Sequence, residues 1–188
     1  MLILPNTMNW NEGETDWSFV PDPKNDIKNW EVRFGRKLPS DYKEFLLRFN
    51  GGSVYPRMFK HAISPSTLPS VSQEEILDRL YRWDQVVPLY NREGYGKGLP
   101  DGYLDIGETP GPLEILLSIR EEDFGKIYAW VRSSNRWGTD SNTEIYLLAA
   151  NFRTFLKMLY DDQEKTDYMG WFIPGCEDIT KELEVDSL

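Results

Sequence analysis

The spacing of apolar residues changes period part-way along this chain, and that change restricts its fold more than any other feature. Ile27, Trp30 and Phe34 recur at helical spacing after Asn25-Asp26, and Gly35 ends the segment. Pro39-Ser40-Asp41 opens a second helix with Ser40 as its N-cap, and Tyr42, Phe45, Leu46 and Phe49 mark its inner face. Asn50-Gly51-Gly52 stops it, because glycine takes the left-handed backbone of a C-cap at no steric cost. From Tyr103 the period is that of strands. Tyr103-Leu104-Asp105-Ile106-Gly107 reads as a short strand and turn, and Glu144–Leu147 as a later strand. Between them, Leu113–Ile119 and Lys126–Arg132 read as a hairpin around the turn Glu121–Gly125. Helical spacing returns in Phe152, Phe155, Leu156 and Leu159, a closing helix expected from about Ala150 to near Asp161-Asp162. Helices bracketing mostly adjacent strands predict an α+β single domain: N-terminal helices, a mostly antiparallel sheet and a C-terminal helix around one core.

The stretch between these regions reads differently. Residues 53–71, with Pro56, Pro65 and Pro69, read as an irregular crossing. Ser72-Gln73-Glu74-Glu75 has the form of a capping box and predicts a third helix carrying Ile76, Leu77 and Leu80. Residues 84–102, rich in Gly and Pro, read as loop.

Charge divides the chain in the same places. The net charge is −10, yet residues 1–26 hold −4, residues 163–188 hold −5, and residues 27–162 are almost neutral at −1. A near-neutral body of residues 27–162 between two acidic arms, 1–26 and 163–188, is the expected organisation, each arm docking partly through Trp10, Trp17, Phe19, Trp171 or Phe172. An excess of acid argues against gripping nucleic acid or an anionic membrane by bulk charge and points to a basic partner or simply to solubility. A single cysteine, Cys176, excludes an internal disulfide and fits a reducing compartment. The start Met1-Leu2-Ile3-Leu4-Pro5-Asn6 lacks the basic opening of a signal peptide, and no apolar run approaches membrane-spanning length, so a cytoplasmic protein is expected.

Catalytic chemistry finds few candidates. His61 and Ser64 form half of a hydrolase pair, with no Gly-x-Ser-x-Gly elbow and no orienting acid nearby in sequence. Glu177 and Asp178 beside Cys176 would raise a thiol pKa and so disfavour a nucleophile. One His and one Cys cannot make a usual zinc site, and the acid-rich run Asp161–Asp167 lacks the central Gly and terminal Glu of a calcium loop. Gly94-Tyr95-Gly96-Lys97-Gly98 has neither dinucleotide nor P-loop spacing, and Leu99-Pro100-Asp101-Gly102 after it is another turn. No catalytic residue, metal or cofactor is expected. The aromatics are more informative. Trp30 and Trp130 fall in periodic elements and are expected in or near the core. Trp83, Trp137 and Trp171 sit at element ends or in loops, with Tyr90, Tyr95 and Tyr103 near the Pro/Gly-rich stretch. Each is either a buried clamp on a loop, an anchor for a protein partner, or a platform for a sugar ring.

Leu38-Pro39-Ser40-Asp41-Tyr42-Lys43-Glu44-Phe45-Leu46 followed by Asn50-Gly51-Gly52 resembles the opening signature of the SUKH superfamily. Leu104-Asp105-Ile106-Gly107 resembles its strand-turn piece. Ile115-Leu116-Leu117-Ser118 with Gly125-Lys126-Ile127-Tyr128-Ala129-Trp130 resembles its central hairpin. Ala149-Ala150-Asn151-Phe152-Arg153-Thr154-Phe155-Leu156 resembles its last helix. The likeness spans roughly residues 27–160 and departs at 53–102, which reads as a long insertion, and in both arms. The signature residues Leu38, Pro39, Tyr42, Leu46, Asn50, Gly51, Gly52, Ile106, Gly107, Gly125, Tyr128, Phe152 and Leu156 read as structural. What the resemblance implies is a binding module and not an enzyme. Bacterial members are immunity proteins that neutralise a polymorphic toxin, often a nuclease, and the fungal Smi/Knr relatives regulate cell-wall glucan synthesis as scaffolds. The leading expectation is an immunity protein that occludes a basic toxin domain, with Trp83, Tyr90, Tyr95, Trp137 and Trp171 as candidate partner-binding residues. A glucan-synthesis scaffold and a carbohydrate-binding module are the alternatives.

Overall fold

Helix α1 (Lys24–Phe34) starts three residues earlier than its apolar spacing suggests, because Asp22 Oδ1 accepts the Lys24 N–H at 2.9 Å. Gly35, at φ +61°, ends it in the left-handed conformation. Helix α2 (Ser40–Phe49) buries Tyr42, Phe45, Leu46 and Phe49, the face its periodicity predicts. Its left-handed C-cap is Asn50 rather than a glycine. These elements belong to a computed structural model that describes residues 2–4, 22–63, 73–93, 98–111, 113–131, 145–161, 181–182 and 184–188.

Five antiparallel strands form the main sheet, in the order β5 (Arg79–Leu80), β6 (Tyr103–Glu108), β7 (Leu113–Ser118), β8 (Ile127–Val131), β9 (Ile145–Ala149). The β7–β8 hairpin is the one its alternation predicts, with Leu117 opposite Ile127 and Leu113 opposite Val131. Leu104, Ile106, Ile115, Leu117 and Ile127 join the helical residues in the main core, together with Phe152, Phe155 and Leu156 of α4 (Phe152–Met158). On the other side Tyr103, Leu116 and Trp130 pack with Leu99 in a smaller cluster. The architecture is mixed α+β in one domain. Among the described residues no helix is long and apolar enough to cross a membrane.

Several local expectations are overturned by pairing partners distant in sequence. Residues 53–71 hold strands β2 (Ser53–Tyr55) and β3 (Met58–Lys60) instead of an irregular crossing. The segment after Ser72 is not a helix: β4 (Glu74–Ile76) pairs with β3, and β5 joins the main sheet through Leu80 opposite Gly107. Capping propensity there yields to the ladder hydrogen bonds. Helix α3 (Trp83–Tyr90) falls where a loop was expected, with Pro88 inside it, and its first turn is closed by Gln85 Oε1 accepting the Arg82 N–H at 3.0 Å. Gly107 lies within a strand and not in a turn, paired with Leu80, and β5 runs so close that a Cβ there would sit 2.6 Å from the Arg79 carbonyl oxygen. Helix α4 stops at Met158, short of Asp161, because Tyr160 leaves to exchange two backbone hydrogen bonds with Met58.

The chain ends pair with one another. β1 (Leu2–Leu4) lies between β2 and β10 (Lys181–Glu182) in a three-stranded antiparallel sheet, and a bridge between Gly52 and Leu80 joins β2's end to the main sheet.

Candidate partner-binding cleft

Two turns at one end of the main sheet face each other, and buried carboxylates hold both. Beside the first turn, between α1 and α2, Glu31 in the last turn of α1 is only 6% exposed. Its carboxylate accepts the Leu38 N–H at 3.1 Å and the Lys43 ammonium at 2.7 Å, with Lys37 at 3.8 Å. Burial alone would push its pKa up, but the Lys43 and Leu38 hydrogen bonds outweigh it and hold the carboxyl below the usual range. Ser40 provides no side-chain cap. Asp41 instead accepts the Tyr42 N–H at 2.9 Å and, with its other oxygen, the Arg153 N–H at 3.0 Å, tying the starts of α2 and α4 together.

The second turn is the β7–β8 connection. Asp123, buried within it, accepts hydrogen bonds from Ser118 Oγ, from Arg120 Nε at 3.0 Å and from Tyr128 Oη at 2.6 Å, and pairs with the Arg120 guanidinium. Burial opposes its charge, yet these donors prevail and bring its pKa down to about 2. Gly125, at φ +85°, completes the turn against the Pro39 ring, whose Cγ would lie 3.6 Å from a Cβ on that glycine.

Between the turns lies an open cleft of about 610 Å³ lined by Gly35, Arg36, Lys37, Ile119, Glu121 and Phe124. Arg36 Nη1 donates to the Ile119 carbonyl at 3.2 Å across it. Lys37 is extended into solvent, and the Phe124 ring is 47% exposed. A half-exposed ring on a rigid turn, with charges of both signs around it, offers an anchor and a polar rim to a protein surface. Among the described residues its lining holds no serine, cysteine or histidine.

Residues 23–158 match the model of the SMI1 / KNR4 family (SUKH-1). The chain belongs to that family. No curated protein and no solved structure matches it. Within the SUKH-1 region, the signature residues of the opening helix, the strands and the last helix are buried apart from half-buried Tyr128: Tyr42, Leu46, Ile106 and Phe152 are 0% exposed and Leu38 5%. They build the frame on which the two turns are displayed.

The aromatics singled out from the sequence do not gather at this cleft. Trp83 is 2% exposed and packs edge-on against Trp30 at 5.4 Å, so it presents no face to a partner or a sugar; it is a core residue. Tyr90, half-buried, leans on Trp30 at 5.2 Å and Phe34 at 5.1 Å and lines a separate, smaller cleft of about 160 Å³ with Arg92, Asp101 and Tyr103. Tyr95, Trp137 and Trp171 lie outside the described residues, as do Ser64 and Cys176. His61 Nδ1 accepts the Ile63 N–H at 3.2 Å, and its ring sits beside Phe59, a structural setting. Among the described residues no group of acids, histidines or cysteines is arranged to hold a metal ion. Sequence reasoning passed over Phe124, Arg36 and Lys37. The available signal was a phenylalanine inside a five-residue turn, where no strand face exists to bury it.

Proposed function

We propose that this SUKH-1 protein is a non-enzymatic immunity protein that neutralises a basic protein toxin by covering its working surface. The observation that carries the reading is the cleft between the Glu31-held and Asp123-held turns, with Phe124 displayed at its mouth. Turns fixed before binding lose little freedom on association, so an exposed ring on one of them contributes more of its contact energy to affinity. The net charge of −10 supports attraction of a basic toxin domain and faster encounter, while the aromatic anchor slows release. Neutralisation by occlusion requires no bond to be made or broken by this chain.

The test is to look for a toxin domain encoded beside its gene and to co-express the chain with it; a neighbourhood without any such domain would count against the reading. Cells are expected to survive with the wild-type chain and to die with Phe124→Asp, although both chains fold and accumulate equally. Death with abundant, folded wild-type protein and no complex with that domain would overturn the reading.

A further inference from the structure

The last five residues, Glu184–Leu188, lie beyond the region matched by the family, yet they complete its core. Val185–Ser187 make a single 3₁₀ turn. Leu188, 7% exposed, enters the main apolar cluster, and Val185 packs against that cluster three positions earlier. Around this pair two helices of the body supply cations. Arg48 of α2 donates from Nη1 to Ser187 Oγ at 2.8 Å. Lys157 of α4 pairs with Asp186, and Arg153 on the same helix acts on that carboxylate as well. The body therefore carries a slot with an apolar floor and a rim of Arg48, Arg153 and Lys157, filled by an acidic, apolar strap from outside the family region.

The strap is lightly held. Asp186 is 84% exposed and Lys157 49%, and an ion pair so open to water contributes little. Most of the attachment is the burial of Leu188. A segment tethered to its own slot nonetheless competes at high effective concentration, so an outside ligand must out-bind it.

We propose that the slot between α2 and α4 is a docking groove for an acidic segment of a partner protein bearing two apolar residues three positions apart, and that Glu184–Leu188 is its built-in competitor. This surface is distinct from the Phe124 cleft, so the two readings stand or fall separately. The test uses a fluorescently labelled peptide of residues 181–188 titrated into three full-length chains: wild type, Leu188→Asp and Asp186→Lys. Asp186 is exposed, so reversing its charge loosens the strap by turning the Lys157 contact repulsive without entering the core, and circular dichroism checks the fold of each chain. The peptide is expected to bind the Leu188→Asp chain at least tenfold more tightly than wild type, and the Asp186→Lys chain severalfold more tightly. Adding Arg48→Glu and Lys157→Glu to either released chain is expected to cut binding at least tenfold, as is placing V185D and L188D in the peptide. Equal binding to all three chains, no binding to the folded released chains, or undiminished binding of the V185D/L188D peptide would overturn the proposal.

Discussion

The Oδ1 atom of Asn50 accepts the backbone N–H of Trp83 at 2.9 Å, joining the end of α2 to the start of α3 across 33 positions. The same residue holds φ +49° as the C-cap of α2. Gly51 follows it at φ +86°, where a Cβ would come within 2.7 Å of the Tyr81 and Arg82 backbone. An asparagine tolerates the left-handed conformation and still carries an acceptor, a combination that glycine lacks. Asn50→Gly is expected to keep the backbone and orphan a buried N–H, lowering stability by about 1–3 kcal/mol in urea unfolding. Asn50→Ala should cost roughly 1 kcal/mol more, for the strain of a Cβ at positive φ.

Asp123 gives the chain an acid-sensitive turn. Its carboxyl is held at about pKa 2 against an ordinary 3.8, the three donors overcoming burial. A depressed folded pKa contributes stability that is complete above about pH 4 and fades as pH falls toward 2. The contribution is on the order of 2 kcal/mol. Asp123→Asn is expected to lower stability at pH 7 and to flatten the slope between pH 4 and 2, measured by denaturant unfolding across that range.

Glu75 on β4 acts in the opposite direction. Burial pushes its pKa up to about 7 from 4.5. Folding therefore favours the protonated form, and stability declines as pH rises from about 4.5 through 7. Glu75→Gln should leave the melting temperature near pH 4 almost unchanged and raise stability at pH 8 by about 1–3 kcal/mol. A difference that does not grow between those pH values would contradict this assignment.

Phe124 separates binding from folding. Its ring is 47% exposed while the turn beneath it is fixed by Asp123. Phe124→Ala is expected to move unfolding by less than about 0.5 kcal/mol. In surface plasmon resonance against the toxin domain, the same change should raise the dissociation rate roughly tenfold, as loss of an aromatic anchor does. Raised salt should instead slow association.

The helical faces of α1 and α2, the β7–β8 hairpin and the α+β class were legible because each depends on neighbours close in sequence. Tyr42 and Leu46 face one side of a helix whatever else folds around them, and the turn at Gly125 sets the register of Leu117 against Ile127. The segment of residues 73–80 was not legible. Its local signal is that of a helix start, and its structure is set by Phe59, Gly107 and Gly52, 16 to 28 positions away. Trp83 shows the same limit: at an element end its ring could be a buried clamp or a partner's anchor, and only packing against Trp30 decides that it is buried.

Apolar period and the ordered signature pieces in the sequence thus determined α1, α2, α4, the β7–β8 hairpin and the family resemblance, since each is a short-range consequence of side-chain spacing, whereas α3 was missed. Which surface is left for a partner was decided by the tertiary structure. Phe124 is exposed because Arg120, Ser118 and Tyr128 converge on Asp123 beneath it, and the slot between α2 and α4 is filled because Arg48 meets Ser187 across 139 positions and the next residue, Leu188, returns to the core. Such contacts join residues that spacing alone cannot relate, because apolar burial and buried hydrogen bonds act between neighbours in space.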